Sequence, residues 1–230
     1  MPTPAIATAA ASSDFASLGT VLQGLDPALQ LMFLMASLSL IPFVFVSMTS
    51  FLRYVIVLSI LKTALGTQQV PPSMVLVGMA LILSLYTMGP VFQEMHTAAM
   101  PILQKNGNAV LVMEAAGKPL KRFMMKHTRQ SDVALFLDLG KRAAPKNPDD
   151  ISIWDVAPAF MISELRTAFE IGFVIFIPFI VLDMVVANVL LALGMMMLSP
   201  TIISLPFKIL IFVAVDGWRL VVSGLAESFM

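Results

Sequence analysis

Long apolar runs, broken by very few charges, limit this chain more than any other feature. Residues 28–48 and 73–92 carry no charged side chain, and 171–193 carries one, Asp183. Helical runs of about 20 apolar residues match the hydrocarbon thickness of a bilayer. Hydrophobic residues make up 58% of the 230 and charged ones 12%, against about 25% charged in an ordinary soluble domain. One soluble core of this size cannot hide that much apolar side chain, so membrane or a large protein interface must cover the rest. The predicted class is all-α.

Punctuation divides the chain into four parts. Residues 1–27 form an N-terminal tail rich in Ala, Ser and Thr, without Lys or Arg, so no cleavable signal peptide is expected. Residues 28–92 read as a first hydrophobic helical hairpin, turning at Gly66–Pro72, where Gly and paired Pro disfavour a continued helix. Residues 158–230 read as a second hairpin, with a helix over 159–193, a break at Gly194–Pro200 and a last segment over about 207–226. Pro178 and Pro206 are expected to kink or end those helices.

Between the hairpins, residues 93–157 hold nine basic and seven acidic side chains, sixteen of the chain's twenty-eight charges. Amphipathic helices are expected near 109–128 and 131–143, the second with Ser131 as N-cap, Asp132 in its first turn and Lys141 and Arg142 at its end. This part reads as a small extramembrane helical domain. Arg53, Lys62 and Lys208 flank the two short turns, which places those turns in the cytoplasm and the central domain and both termini outside.

Nine charges interrupt the apolar segments: Arg53, Lys62, Glu164, Arg166, Glu170, Asp183, Lys208, Asp216 and Arg219. Arg166 with Glu170 and Asp216 with Arg219 have the spacing to share a helix face. The other five lack an obvious local partner. If all five met lipid centrally the penalty would be roughly 12–18 kcal/mol, beyond what one segment's apolar residues offset. They therefore face protein or water: an assembly interface, an aqueous path, or internal pairing in a single bundle.

Catalytic patterns are missing. His96 and His127 stand apart, no His-Glu-x-x-His occurs, and there is neither a phosphate-binding Gly-rich loop nor a Gly-x-Ser-x-Gly turn. No enzymatic activity, metal or cofactor is expected. A net charge of zero gives no reason to expect a nucleic-acid partner.

The segment Gly194-Met195-Met196-Met197-Leu198-Ser199-Pro200 sets three methionines between two helix breakers. Thioether chains are flexible and repack readily. In a symmetric ring they could part for a passing polypeptide and close behind it, and an apolar constriction resists ions by dewetting. Ordinary core packing is the alternative.

Specific strings then matter. Met48-Thr49-Ser50-Phe51-x-Arg53 and Ala64-Leu65-Gly66-Thr67-Gln68-Gln69-x-Pro71-Pro72 resemble the first hairpin of the FliP/SctR family of type III secretion proteins. Ser163-Glu164-Leu165-Arg166-Thr167-Ala168-Phe169-Glu170-Ile171-Gly172-Phe173, the Gly194–Pro200 segment, Ile203–Lys208 and Asp216-Gly217-Trp218 resemble its later segments. The resemblance implies a core subunit of an export gate that conducts unfolded proteins across the bacterial inner membrane. It implies a pentameric ring of this chain with FliQ/SctS-like and FliR/SctT-like subunits and other export apparatus proteins. It further implies a gasket formed by Met195, Met196 and Met197. A tail without a leader, with the Phe-Glu-Ile-Gly-Phe and Leu-Ser-Pro variants, favours the injectisome branch, whereas Thr128-Arg129-x-x-Asp132 looks flagellar. The competing reading is a small-solute or ion transporter using Asp183, and a third is a scaffold with the pore formed elsewhere.

Overall fold

The computed structural model describes residues 26–67, 70–105, 109–142, 147 and 150–230. The tail expected over 1–27, and Gln68 and Gln69 of the first turn, thus lie almost wholly outside the described residues. All regular structure among the described residues is helical. Eight helices follow in order: α1 (Pro27–Met48), α2 (Phe51–Ala64), α3 (Ser73–Lys105), α4 (Ala109–His127), α5 (Gln130–Leu139), α6 (Ile153–Ala192), α7 (Pro200–Ala214) and α8 (Gly217–Glu227).

The chain divides into two compact units, one comprising residues up to Val46 with Pro90–Phe123, the other Ser47–Gly89 with Met124–Met230. In the first, Asp26 caps α1: its carboxylate accepts from the Ala28 amide at 2.9 Å, and Pro27, lacking an N–H, takes the first helical position. Glu94 and Arg122 in the same unit form an exposed ion pair at 3.3 Å.

The second unit holds the larger core. Tyr54, Val57, Leu58 and Leu61 of α2 are fully buried, as are Val156, Ala159, Phe160 and Ala168 of α6, and the two helices pack along one another. Gly172 permits that closeness: a Cβ there would sit 2.4 Å from the Ile60 Cδ1. Hydroxyls fasten the opening of α2 to α3. The Ser50 Oγ lies 3.1 Å from that of Ser84 and 2.8 Å from the Thr87 Oγ1. Such bonds hold helices together where apolar contact alone gives little preference over lipid.

Several helix limits differ from the expected ones. The third helix runs on past residue 92 to Lys105, through Pro90 and Pro101. The sixth begins at Ile153 and not at residue 159, with the Ser152 hydroxyl accepting from the Trp154 amide, and it does not end at Pro178. Its 40 residues span about 60 Å at the usual rise, twice the ~30 Å of a hydrocarbon core. Asp155, Glu164, Arg166 and Glu170 all fall in its first half.

Helix α5 starts at Gln130, so Ser131 lies inside its first turn and Arg129 is the cap residue. Tertiary structure supplies the cap instead: the Ser163 hydroxyl on α6 accepts from the Arg129 amide at 3.0 Å. The helix stops at Leu139, before Lys141 and Arg142.

The last apolar segment opens at Pro200 and divides into α7 and α8, bent by 64°. Asp216 occupies the left-handed region at the break, with φ 53°, a conformation short polar side chains tolerate better than most. Gly217 follows because a Cβ there would lie 2.3 Å from the Phe212 ring.

Candidate functional site

Two polar clusters and one loop collect most of the residues singled out by their sequence. The first cluster centres on Arg53 of α2, 3% exposed. Its Nε donates to the Glu164 Oε2 at 2.8 Å and one Nη to the Glu164 Oε1 at 2.5 Å. The other Nη donates to the Ser228 carbonyl at 3.0 Å and hydroxyl at 2.8 Å. The Phe229 ring lies 3.7 Å from the guanidinium carbon. A delocalised, planar cation accepts this company: a carboxylate fork on one edge and an aromatic face above. Phe229 is flanked in turn by the edges of Tyr54 and His127. His127, in α4, is held down to about 4, first by burial and then by the Arg53 and Lys126 charges.

In the second cluster, Lys208 of α7 donates to the Asp183 carboxylate of α6 at 2.7 Å and to the Ala64 carbonyl at the end of α2 at 3.3 Å. The Ser204 hydroxyl, one turn before Lys208, donates to the other Asp183 oxygen. Lys208 is 3% exposed at its side chain and Asp183 32%. This network ties both arms of the Gly194–Pro200 hairpin to each other and to α2.

The remaining charges are more open. Glu170 accepts from Arg129 at 2.7 Å and from Arg166 at 3.2 Å, so the expected spacing pair is present with a second arginine added. Lys62 is half-buried, and its ammonium donates to the Ser73 hydroxyl at 3.3 Å. Asp216 and Arg219 are exposed, and no ion pair among the described residues joins them. The left-handed turn at Asp216 takes it out of the helical register that would have brought the two together.

The Gly194–Pro200 loop has a clear architecture. Gly194, at φ 74°, ends α6 with the Met195 amide donating to the Leu190 carbonyl at 2.9 Å and its own amide to Leu191 at 3.0 Å. This paired arrangement needs a left-handed residue, and glycine adopts it at no steric cost. Pro200 then opens α7 at a position where no amide proton is needed. Between them Met195, Met196 and Met197 are 45%, 79% and 100% exposed. They do not belong to the core of their own chain.

Among the described residues, no three His, Asp or Glu side chains gather in a way that could hold a metal ion. Ser228, Phe229 and Ser204 escaped the sequence reading. Ser204 could have been found from its place one turn before Lys208, but nothing local marks Ser228 or Phe229.

These features define a class: a helical membrane protein, with α3 and α6 long and apolar enough to cross a bilayer, and up to four crossings if each bent helix pair counts as one. The family is defined by similarity. Residues 34–225 match the FliP family, and the chain belongs to it. It is 48% identical over 208 residues to the flagellar biosynthetic protein FliP of Bacillus subtilis, covering 90% of this chain and 94% of that one. To the protein of the same name from Caulobacter vibrioides it is 46% identical over 230 residues, covering all of this chain and 85% of the relative. With the Yop proteins translocation protein R of Yersinia pestis it shares 42% over 216 residues, 89% of this chain and 98% of that one. Identities are thus higher to these two flagellar relatives than to the Yersinia protein, and do not support the injectisome preference drawn from the sequence.

Proposed function

We propose that this chain is a core channel-forming subunit of a type III secretion export gate, conducting unfolded protein substrates across the bacterial inner membrane. In this reading several copies, five by the family resemblance, form a ring with FliQ/SctS-like and FliR/SctT-like subunits. Residues 93–157 and both termini face the periplasm. The observation that carries the proposal is the methionine loop: three exposed apolar side chains, held between a glycine stop and a proline start, on a chain of the FliP family. Repeated around a ring axis, they would form a deformable apolar constriction that excludes water and ions at rest. The names of the relatives, one of which states protein translocation, agree with it.

A transporter built on Asp183 is less well supported. Lys208 and Ser204 engage both oxygens of that carboxylate, leaving a structural lock where a relay needs a group free to exchange protons or ions. Co-expression with FliQ-like and FliR-like subunits separates the readings. A discrete ring complex of defined mass supports the export gate. Solute uptake by the lone protein in vesicles contradicts it.

A further inference from the structure

We propose that Met195, Met196 and Met197 form an oxidation-responsive site, at which hydrogen peroxide or a related hydroperoxide converts the apolar loop into a polar, leaking one. The proposal rests on the seal reading above and adds a covalent modification to it. Its basis is exposure combined with position. Met88 and Met124 are completely buried and serve as protected internal references. The loop methionines rise from 45% to 100% exposure along three consecutive positions, and a Cβ at the neighbouring Gly194 would meet nothing within 4 Å beyond its adjoining residues. Small aqueous oxidants therefore reach these sulfurs in the single chain without unfolding it, and in the ring they would approach the loop from the water-filled channel on either side of the constriction.

The chemistry is simple and balanced. A lone pair on the thioether sulfur attacks one peroxide oxygen as the O–O bond breaks. The sulfur loses two electrons and gains an S–O bond, while the departing oxygen leaves as water with both peroxide protons, or, from an organic hydroperoxide, as the alcohol with its single peroxide proton. One equivalent of peroxide is reduced per sulfoxide formed. The product side chain is polar, and its oxygen accepts hydrogen bonds far more strongly than the weakly accepting thioether, so it disrupts methionine-rich apolar surfaces. A constriction that holds back ions by dewetting loses that property once its lining is wettable.

Exposure alone does not single out the loop, since Met74 and Met230 are 85% and 80% exposed. The test must therefore locate the effect. The assembled gate is reconstituted in liposomes, treated with hydrogen peroxide, and measured for ion leak, with peptide mass spectrometry reporting sulfoxide at each methionine. The expected result is sulfoxide in the 195–197 peptide with a rise in leak on the order of tenfold, as a dewetted constriction becomes hydrated. Gates carrying Met195→Leu, Met196→Leu and Met197→Leu together, which keep volume and apolarity but cannot oxidise, should show no peroxide response against their own untreated baseline. Gates carrying Met74→Leu should respond like the native assembly.

Sulfoxide in the loop without added leak overturns the proposal, as does a loop peptide that stays unoxidised while Met74 reacts. An equal response in the triple-leucine gate also overturns it. An unoxidised loop peptide or an equal response in the triple-leucine gate leaves the seal reading intact, whereas sulfoxide without leak counts against both. The seal reading alone is decided by replacing the three methionines with alanine, and fails if the untreated gate stays tight.

Discussion

Arg53 and Glu164, 111 residues apart in sequence, meet as a two-pronged ion pair in the interior of the α2–α6 packing. Both side chains are almost wholly shielded, at 4% and 0% exposure. Removing one member strands the other charge in an apolar setting. Glu164→Ala should therefore destabilise the protein by about 3–5 kcal/mol. The double replacement Arg53→Met with Glu164→Leu should cost distinctly less, since it leaves no uncompensated charge. Thermal unfolding of the single and double variants in one detergent checks this ordering; a double variant as weak as the sum of the singles contradicts it.

The Lys208–Asp183 pair is asymmetric, and so are its predicted variants. Lys208 is buried, whereas a third of Asp183 reaches the surface. Asp183→Ala leaves an ammonium without its counter-charge and should cost about 3 kcal/mol. Lys208→Met leaves a carboxylate that water and the Ser204 hydroxyl still serve, and should cost about 1 kcal/mol. Because the pair closes the base of the hairpin, amide exchange at 194–200 should speed up in both. Denaturant titrations with exchange measurements give both readings, and equal destabilisation by the two variants would refute the asymmetry.

His127 predicts a pH dependence. Its ordinary value of 6.5 falls to about 4 in the folded chain, through burial and then the nearby Arg53 and Lys126 charges. As pH falls, the unfolded chain takes up the proton first, so the folded state loses stability. That loss starts near 6.5 and is complete below 4, and it should amount to at most about 3 kcal/mol. His127→Gln should flatten the dependence of the melting temperature on pH between 7 and 4. An unchanged slope in the variant assigns the acid sensitivity elsewhere.

Gly172 and Ile60 make a packing prediction. Gly172→Ala introduces a methyl 2.4 Å from the Ile60 Cδ1 and 3.0 Å from its Cγ2, and overpacking of this kind costs about 1–3 kcal/mol. Trimming the neighbour, with Ile60→Ala in the same chain, should recover much of that loss. If the second change adds to the damage, the contact does not hold the two helices at this spacing.

Helical class and the methionine loop were legible in sequence because both are local. Apolar runs state their own length, and Gly194 and Pro200 mark an end and a start by backbone chemistry alone. The Arg166–Glu170 pair was legible for the same reason, four residues apart on one helix. Arg53 and Glu164 were not, since no local rule joins positions in different helices, and their charges looked stranded. The structure pairs them within one chain, as it does Lys208 with Asp183, so these four charges do not by themselves demand an assembly. Pro178 and Pro206, expected to kink or end their helices, both lie inside continuous ones, where surrounding packing outweighs a single lost hydrogen bond. The Asp216–Arg219 pairing failed because a left-handed residue interrupts the helix that the spacing presumed.

The seal proposed for the methionine loop stands or falls on the ion permeability of the assembled gate carrying Met195→Ala, Met196→Ala and Met197→Ala, with assembly verified by mass. Shortened side chains should open the constriction and raise ion leak on the order of tenfold while the ring still forms, because a wider apolar ring wets. A correctly assembled variant as tight as the native gate would contradict the account.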